Sequence, residues 1–232
     1  MIDRFPVILT TIERAVRLVS TARLRPPVLA GLVADDELQT LAEIEGATSE
    51  RIVRQSRGAS GISPMEFAAG VPGHSFINAA FAYSRPRGLN RFNGPSRGAW
   101  YAAFEVETSI AEVAFHLTRE LDNIGVYETI VDYAELFASF AGEFLELRNL
   151  PDPQPECLSP DIEIAYPQGN LVADAARTRG LNGIIYPSAR RKGGTCLVAL
   201  TPHAVQSVAQ GRVIRLMWKG TRTPERVFDP KA

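Results

Sequence analysis

The sequence is poor in the residues that staple or metallate a small protein. Its 232 residues include two cysteines, Cys157 and Cys196, and three histidines, His74, His116 and His203. The cysteines form no CxxC pair, so a disulfide scaffold is not expected and a reducing compartment fits. No HExxH run or Cys/His ligand spacing occurs, so no metal is expected. Long apolar runs are missing as well. The opening segment MIDRFPVILTTIERAVRLVS is broken by Asp3, Glu13 and Arg14. Nothing approaches the roughly 20 apolar residues of a membrane span, so a cytoplasmic protein without a membrane partner is expected. An excess of one charge is missing too. The formal net charge is -1, which gives no global field to draw the chain to nucleic acid. No internal repeat is found, and no GxSxG elbow surrounds any serine.

What is present is ordinary globular material. Hydrophobic residues make up 45% and charged residues 22% of the chain, enough for a core that folds without cross-links. Residues 1–47 read as a helical N-terminal appendage. Ile8, Ile12, Val16 and Val19 recur at helical spacing, and a second helix runs from Asp35 to Glu45, before Gly46. Residues 48–232 read as the main domain. Arg51-Ile-Val-Arg54 suggests a short strand. Ser56 to Arg97 is rich in Gly, Pro, Ser and Asn, and so long an irregular stretch inside a domain is usually functional. Ala99–Phe104 suggests a strand and Ser109–Leu121 a helix with Ile110, Val113, Ala114, Leu117 and Leu121 on one side. Tyr127–Val131 is rich in strand formers, and residues 135–147 fit strand or helix. Asn170–Arg179 reads as a helix stopped by Gly180. Gly183–Tyr186 and Cys196–Leu200 read as buried strands around the Gly-rich hairpin Lys192–Thr195, and Val213–Trp218 as a last strand. The fold class is α+β.

Four places can carry chemistry. Gly88-Leu-Asn-Arg-Phe-Asn-Gly94 holds Arg91 and Asn93 in a turn-rich loop. An Arg fork there matches a phosphate, or is simply solvated. Tyr101 is followed by Glu112 near the start of a helix. Ser109-Ile-Ala-Glu112 also matches a capping box, in which the Glu only bonds backbone. Ser188 follows the strand Ile185-Tyr186-Pro187, placed to reach a pocket or to bond its own turn. Arg51 in the first strand of the body can hold a phosphate or pair with a carboxylate, and Arg54 competes with it.

In this order and spacing, the four places resemble the RES domain, named for its Arg, Glu and Ser. The likeness runs from about Ser49 to Ala204, tightest over Asn90–Asn93, Tyr101, Glu112, His116 and Gly180–Ser188. The family Arg falls on Arg51 or Arg54, its Glu on Glu112 and its Ser on Ser188. Its motif Arg and Asn fall on Arg91 and Asn93, and its tyrosine on Tyr101. The chain departs from the pattern at Phe92, where Trp is commoner, at Asn90, where Gly is usual, and at Glu50, where an aromatic often stands.

The resemblance implies an ADP-ribosyltransferase-like mixed β core with flanking helices. It implies a toxin that consumes NAD⁺, paired with an Xre-type antitoxin that blocks its cleft. On this reading Glu112 stabilises the oxocarbenium-like ribose formed as nicotinamide leaves. Arg51, helped by Arg91, holds the pyrophosphate. Tyr101 stacks on nicotinamide, and Ser188 bonds the ribose or the amide. Asn93 belongs to the same binding set. The acceptor is water, phosphate or a protein side chain, the last making a mono-ADP-ribosyltransferase. Readings from other classes are a nucleic-acid module built on Arg85, Arg87, Arg91 and Arg97, which the near-neutral charge opposes, and a non-catalytic interaction module.

Overall fold

The computed structural model describes residues 2–23, 62–82 and 88–229. The expected helix Asp35–Glu45, the strand Arg51–Arg54, and Arg85 and Arg87 lie outside the described residues.

Seven strands form one mixed sheet among the described residues. They are β1 (Val7–Ser20), β2 (Trp100–Ala103), β3 (Glu128–Glu146), β4 (Gly183–Pro187), β5 (Thr195–Ala199), β6 (Val205–Lys219) and β7 (Glu225–Phe228). Their order is β1-β2-β5-β4-β3-β6-β7, and β1 also pairs with β3. The pairings β1–β2–β5–β4–β3–β1 therefore close into a ring. From this ring β6 and β7 extend off β3. Closure removes edges that would otherwise stay unpaired. Among these described strands only β3 and β4 run parallel, and parallel neighbours need a crossover. A helix supplies it.

Three helices are described, α1 (His74–Ala82), α2 (Val106–Ile124) and α3 (Ile162–Thr178). Each covers a different part of the sheet. Ile77, Phe81 and Ala82 of α1 pack with Trp100, Phe140, Phe144 and Leu197. Val172, Ala173 and Ala176 of α3 pack with Leu145, Ile184, Tyr186 and Val198. The apolar side of α2, with Ile110, Val113, Ala114, Leu117 and Leu121, meets Val16, Leu18, Leu216 and Trp218. This is the α+β class expected, and the apolar side of α2 is the one its periodicity predicts. No helix among the described residues is long and apolar enough to cross a membrane.

The helical appendage is corrected at residues 7–20. This segment is a strand that pairs along its length with β3, from Val7 opposite Leu145 to Ser20 opposite Tyr133. A register shift lies between Ile12 and Ala15, so Ile8, Ile12 and Val19 share one cluster while Val16 faces another, and the helical spacing marks no single face. Other boundaries move by less. Residues 128–146 are one long strand, β6 starts at Val205, and α3 starts at Ile162 rather than Asn170. The helix α1 and the strand β7 are additions to the sequence reading.

Candidate functional site

Glu112 sits in the second turn of α2. The helix starts at Val106, and its N-cap Glu105 makes no side-chain capping bond. The capping-box reading of Ser109 and Glu112 is thereby overturned. Ser109 instead donates to the Val16 carbonyl at 2.6 Å. The Glu112 carboxylate turns to the far end of the chain, where the Ser188 hydroxyl donates to Oε1 at 2.6 Å. The Cys196 thiol contacts the same oxygen at 3.7 Å. Among the described residues no group bonds Oε2.

Ser188 is held where β4 turns into β5. Its N–H donates to the Gly194 carbonyl at 2.8 Å. Its Oγ accepts from the N–H groups of Arg190 and Arg191, each at 3.1 Å. The turn reading of Ser188 and its contact with Glu112 are thus both realised. A hydroxyl that accepts from two backbone N–H groups has its proton directed at the remaining acceptor, the carboxylate. Burial and the nearby Glu112 carboxylate push the Cys196 thiol well above its ordinary range. It stands as a neutral S–H donor to Glu112, not as a thiolate nucleophile.

The loop of residues 88–97 is shaped by its own hydrogen bonds. Asn90 N–H donates to the Asn93 carbonyl at 2.9 Å, closing the loop at its neck. The Tyr101 hydroxyl accepts from the Phe92 N–H and donates to Asn93 Oδ1, both at 2.9 Å. Burial raises the Tyr101 phenol far above its usual range, so it remains a donor. Asn93 is 2% exposed. Its amide donates to the Arg97 carbonyl at 2.9 Å and to the Gly94 carbonyl at 3.3 Å. Asn93 and the Tyr101 hydroxyl therefore serve as posts that set the loop's shape. Helix α3 clamps this loop from outside. Asn170 donates to the Asn90 carbonyl at 2.8 Å, and Gly169 lets the helix approach the Arg91 carbonyl directly.

Arg91 points from this loop into the segment before α3. Its Nη1 donates to the carbonyls of Cys157 at 2.6 Å and Ser159 at 3.0 Å. Arg190, beside Ser188, donates to the next carbonyl, Pro160, at 3.0 Å. Its guanidinium carbon lies 3.4 Å from the centre of the Phe115 ring, a cation–π contact. Tyr166 of α3 lies 6.0 Å from the Arg91 guanidinium carbon, and burial raises its phenol as well.

Glu112 and Ser188 are thus in direct contact, and Arg91 joins them through the Cys157–Pro160 segment and Arg190. Asn93 and Tyr101 bond each other. Arg51 and its alternative Arg54 lie outside the described residues. Arg190, Phe115, Tyr166 and Cys196 also stand at this site and are not among the residues that the sequence pattern points to. Two of them carried a usable signal. Phe115 lies three residues after Glu112, on the same side of a helix, and Arg190 lies two after Ser188, where a serine turn binds its backbone. A cavity of about 590 Å³, lined by Arg14, Val16, Phe104, Val106, Glu135, Phe137 and Arg212, shares none of these residues.

The RES domain family model matches residues 67–219. That range contains Arg91, Asn93, Tyr101, Glu112, Ser188 and Arg190 and leaves out Arg51 and Arg54. An uncharacterized protein of Sinorhizobium fredii (strain NBRC 101917 / NGR234), y4oC, is 26% identical over 200 residues, covering 85% of this chain and 80% of that protein. With the family match spanning most of the sheet and the whole of the Glu112–Ser188 pair, the chain belongs to the RES domain family.

Proposed function

We propose that this RES domain cleaves NAD⁺ at the bond between nicotinamide and ribose, as the toxin of a toxin–antitoxin pair whose Xre-type antitoxin covers the cleft. The observation that carries this reading is the Glu112 carboxylate, oriented by the Ser188 hydroxyl at 2.6 Å beside cationic and aromatic side chains. The membership in the RES family and the mixed β core with flanking helices support it.

The chemistry needs little apparatus. The ribose C1′–N bond breaks, and its electron pair goes to the pyridinium nitrogen, so nicotinamide leaves neutral. Positive charge develops on the ribose ring, as in glycoside cleavage. A fixed carboxylate stabilises that charge most where it need not reorganise. With Oε1 held by Ser188 and Cys196, Oε2 of Glu112 faces the ribose and accepts from one of its hydroxyls. Water then adds to C1′ and releases a proton, to Glu112 or to solvent. A phosphate or a protein side chain in place of water gives phosphorolysis or ADP-ribosylation. Tyr101 is the candidate to stack on nicotinamide.

The test is NAD⁺ consumption by the purified protein, with and without phosphate, against Glu112→Gln. The variant keeps the shape and the Ser188 bond but loses the charge. Turnover is expected to fall by about 10²–10³-fold, the scale of losing one transition-state electrostatic partner, with the melting temperature little changed. Turnover that survives in Glu112→Gln sinks the assignment. Intact NAD⁺ with a labelled protein band in lysate moves the acceptor to a protein.

A further inference from the structure

Most arginines placed by the fold are neutralised by carboxylates. Arg97 pairs with Glu66, Arg215 with Asp132 and Arg191 with Glu105. Arg91 and Arg190 are different. Among the described residues no carboxylate lies within 4.0 Å of either guanidinium. Arg91 is only 8% exposed, and Arg190 is half-buried against Phe115. Both are held by peptide carbonyls, Arg91 by Cys157 and Ser159 and Arg190 by Pro160. Burying a cation without a counter-charge is costly. Carbonyl dipoles reduce that cost, and Glu112 acts on Arg190 from further off, but among the described residues no acid pairs directly with either guanidinium. The contrast is sharpest at the pair Arg190 and Arg191, adjacent in sequence, of which only the second has an acid.

Consecutive carbonyls, Ser159 and Pro160, bring the two guanidiniums together at one turn. Arg190 is also fixed at its backbone, because its N–H donates to Ser188 Oγ at 3.1 Å. That oxygen belongs to the hydroxyl that orients Glu112. The pair is thus anchored from both ends, one end being the carboxylate's own support. Each guanidinium uses only Nη1 for its carbonyl bonds, so further N–H groups of the fork remain for a ligand. Two planar forks at one turn, both cationic in a partly desolvated setting, suit the oxygens of a phosphoryl group or a diphosphate. Burial, with Arg91 and Arg119 acting in the same direction, lowers the Arg190 guanidinium from its ordinary value, and Glu112 partly offsets this. An anion entering here relieves that mutual repulsion.

We infer that Arg91 and Arg190 form an anion clamp on the Cys157–Pro160 turn that takes a phosphoryl or diphosphate group next to Glu112. This rests on the reading of the site as one that handles NAD⁺, and it adds Arg190 as a binding residue. The anion has two sources, the diphosphate of the dinucleotide or a free phosphate that serves as acceptor.

The experiment is titration calorimetry on the intact protein with ADP-ribose, adenosine and inorganic phosphate as probes, in wild type and Arg190→Met. Methionine keeps apolar contact with Phe115 and removes the charge. ADP-ribose is expected to bind wild type at least tenfold more tightly than adenosine, and Arg190→Met to lose about tenfold or more in ADP-ribose affinity with adenosine unchanged, as for one charge-assisted hydrogen bond. The wild-type comparison stands even if the variant fails to fold. Arg190-dependent binding of ADP-ribose that ignores added phosphate assigns the clamp to the dinucleotide, and Arg190-dependent binding of phosphate alone assigns it to the acceptor. Equal ADP-ribose affinity in the two proteins, or no preference of wild type for ADP-ribose or phosphate over adenosine, overturns the clamp. Arg190-dependent binding without any NAD⁺ turnover leaves the clamp standing and removes the cleavage reaction instead.

Discussion

Ser188 uses its hydroxyl three ways, accepting from the N–H groups of Arg190 and Arg191 and donating to Glu112. Ser188→Ala keeps the strand and the hairpin but frees the carboxylate to rotate. Turnover of NAD⁺ is expected to drop by about tenfold to a hundredfold, as small misplacements of reacting groups do, while stability changes by about 1 kcal/mol. Single-turnover kinetics beside a urea melt separates the two effects. A variant that loses several kcal/mol of stability and keeps its rate shows that the serine is only a turn residue. The pairing of Glu112 with Ser188 was readable in the sequence only through the family likeness, because 76 positions separate them. The capping pattern was misleading for a local reason. Ser-x-x-Glu marks a helix start only when the helix starts there, and α2 begins three residues earlier, at Val106.

At the scale of elements, the loop of residues 88–97 depends on α3. A Cβ added to Gly169 would stand 1.9 Å from the Arg91 carbonyl oxygen. Alanine is the better helix former by about 1 kcal/mol, but a backbone oxygen cannot move aside as a side chain can. Gly169→Ala is therefore expected to lower stability by about 1–3 kcal/mol, as overpacking does, and to weaken NAD⁺ turnover by shifting Arg91. A thermal melt showing the variant equal to or above wild type contradicts this contact. The other end of the loop is tied by Arg97 to Glu66. The Arg97 guanidinium holds the Glu66 carboxyl below its usual value. A depressed carboxylate contributes stability above its unfolded pKa of about 4.3, and that share is lost as pH falls through the lower folded value. Urea midpoints between about pH 3 and 7 are expected to fall less steeply toward acid in Glu66→Gln than in wild type. Parallel profiles remove the pair from the acid response. Elements were legible where pattern and chain ends agreed, as in the β4–β5 hairpin and the stop of α3 before Gly180. They were less so where a bulge intervened. Ile8 and Ile12 pack in the same cluster as Ala15 and Val19, though the two pairs differ in parity along the strand. The shift between Ile12 and Ala15 switches that parity and leaves apolar residues spaced as on a helix. The run of Val, Ile and Thr in residues 7–12 was the better guide.

At the scale of the whole molecule, closure of the strand ring is the feature that local patterns could not reveal. Pairing of β1 with both β2 and β3 joins residues more than 80 positions apart. The family match starts at residue 67, yet the sheet it covers is closed by a strand at residues 7–20. Removing β1 would unpair the β3 backbone from Tyr133 to Leu145 and one edge of β2 at Ala103. It would also uncover Leu136, Ala138 and Phe140, which lie in one cluster with Ala15. The freed backbone edge turns to water, but each large apolar side chain that is uncovered forfeits about 1.5–3 kcal/mol of burial, and several together are comparable with the 5–15 kcal/mol that holds a typical domain folded. A protein lacking residues 1–20 is therefore expected to lose its cooperative thermal transition and its NAD⁺ turnover together. An appendage behaves otherwise, since its removal leaves both in place. Circular dichroism melts of the full chain and of the truncated chain decide the matter, and a sharp transition in the truncated chain, at a temperature near that of the full chain, means that β1 only lies against a ring stable without it.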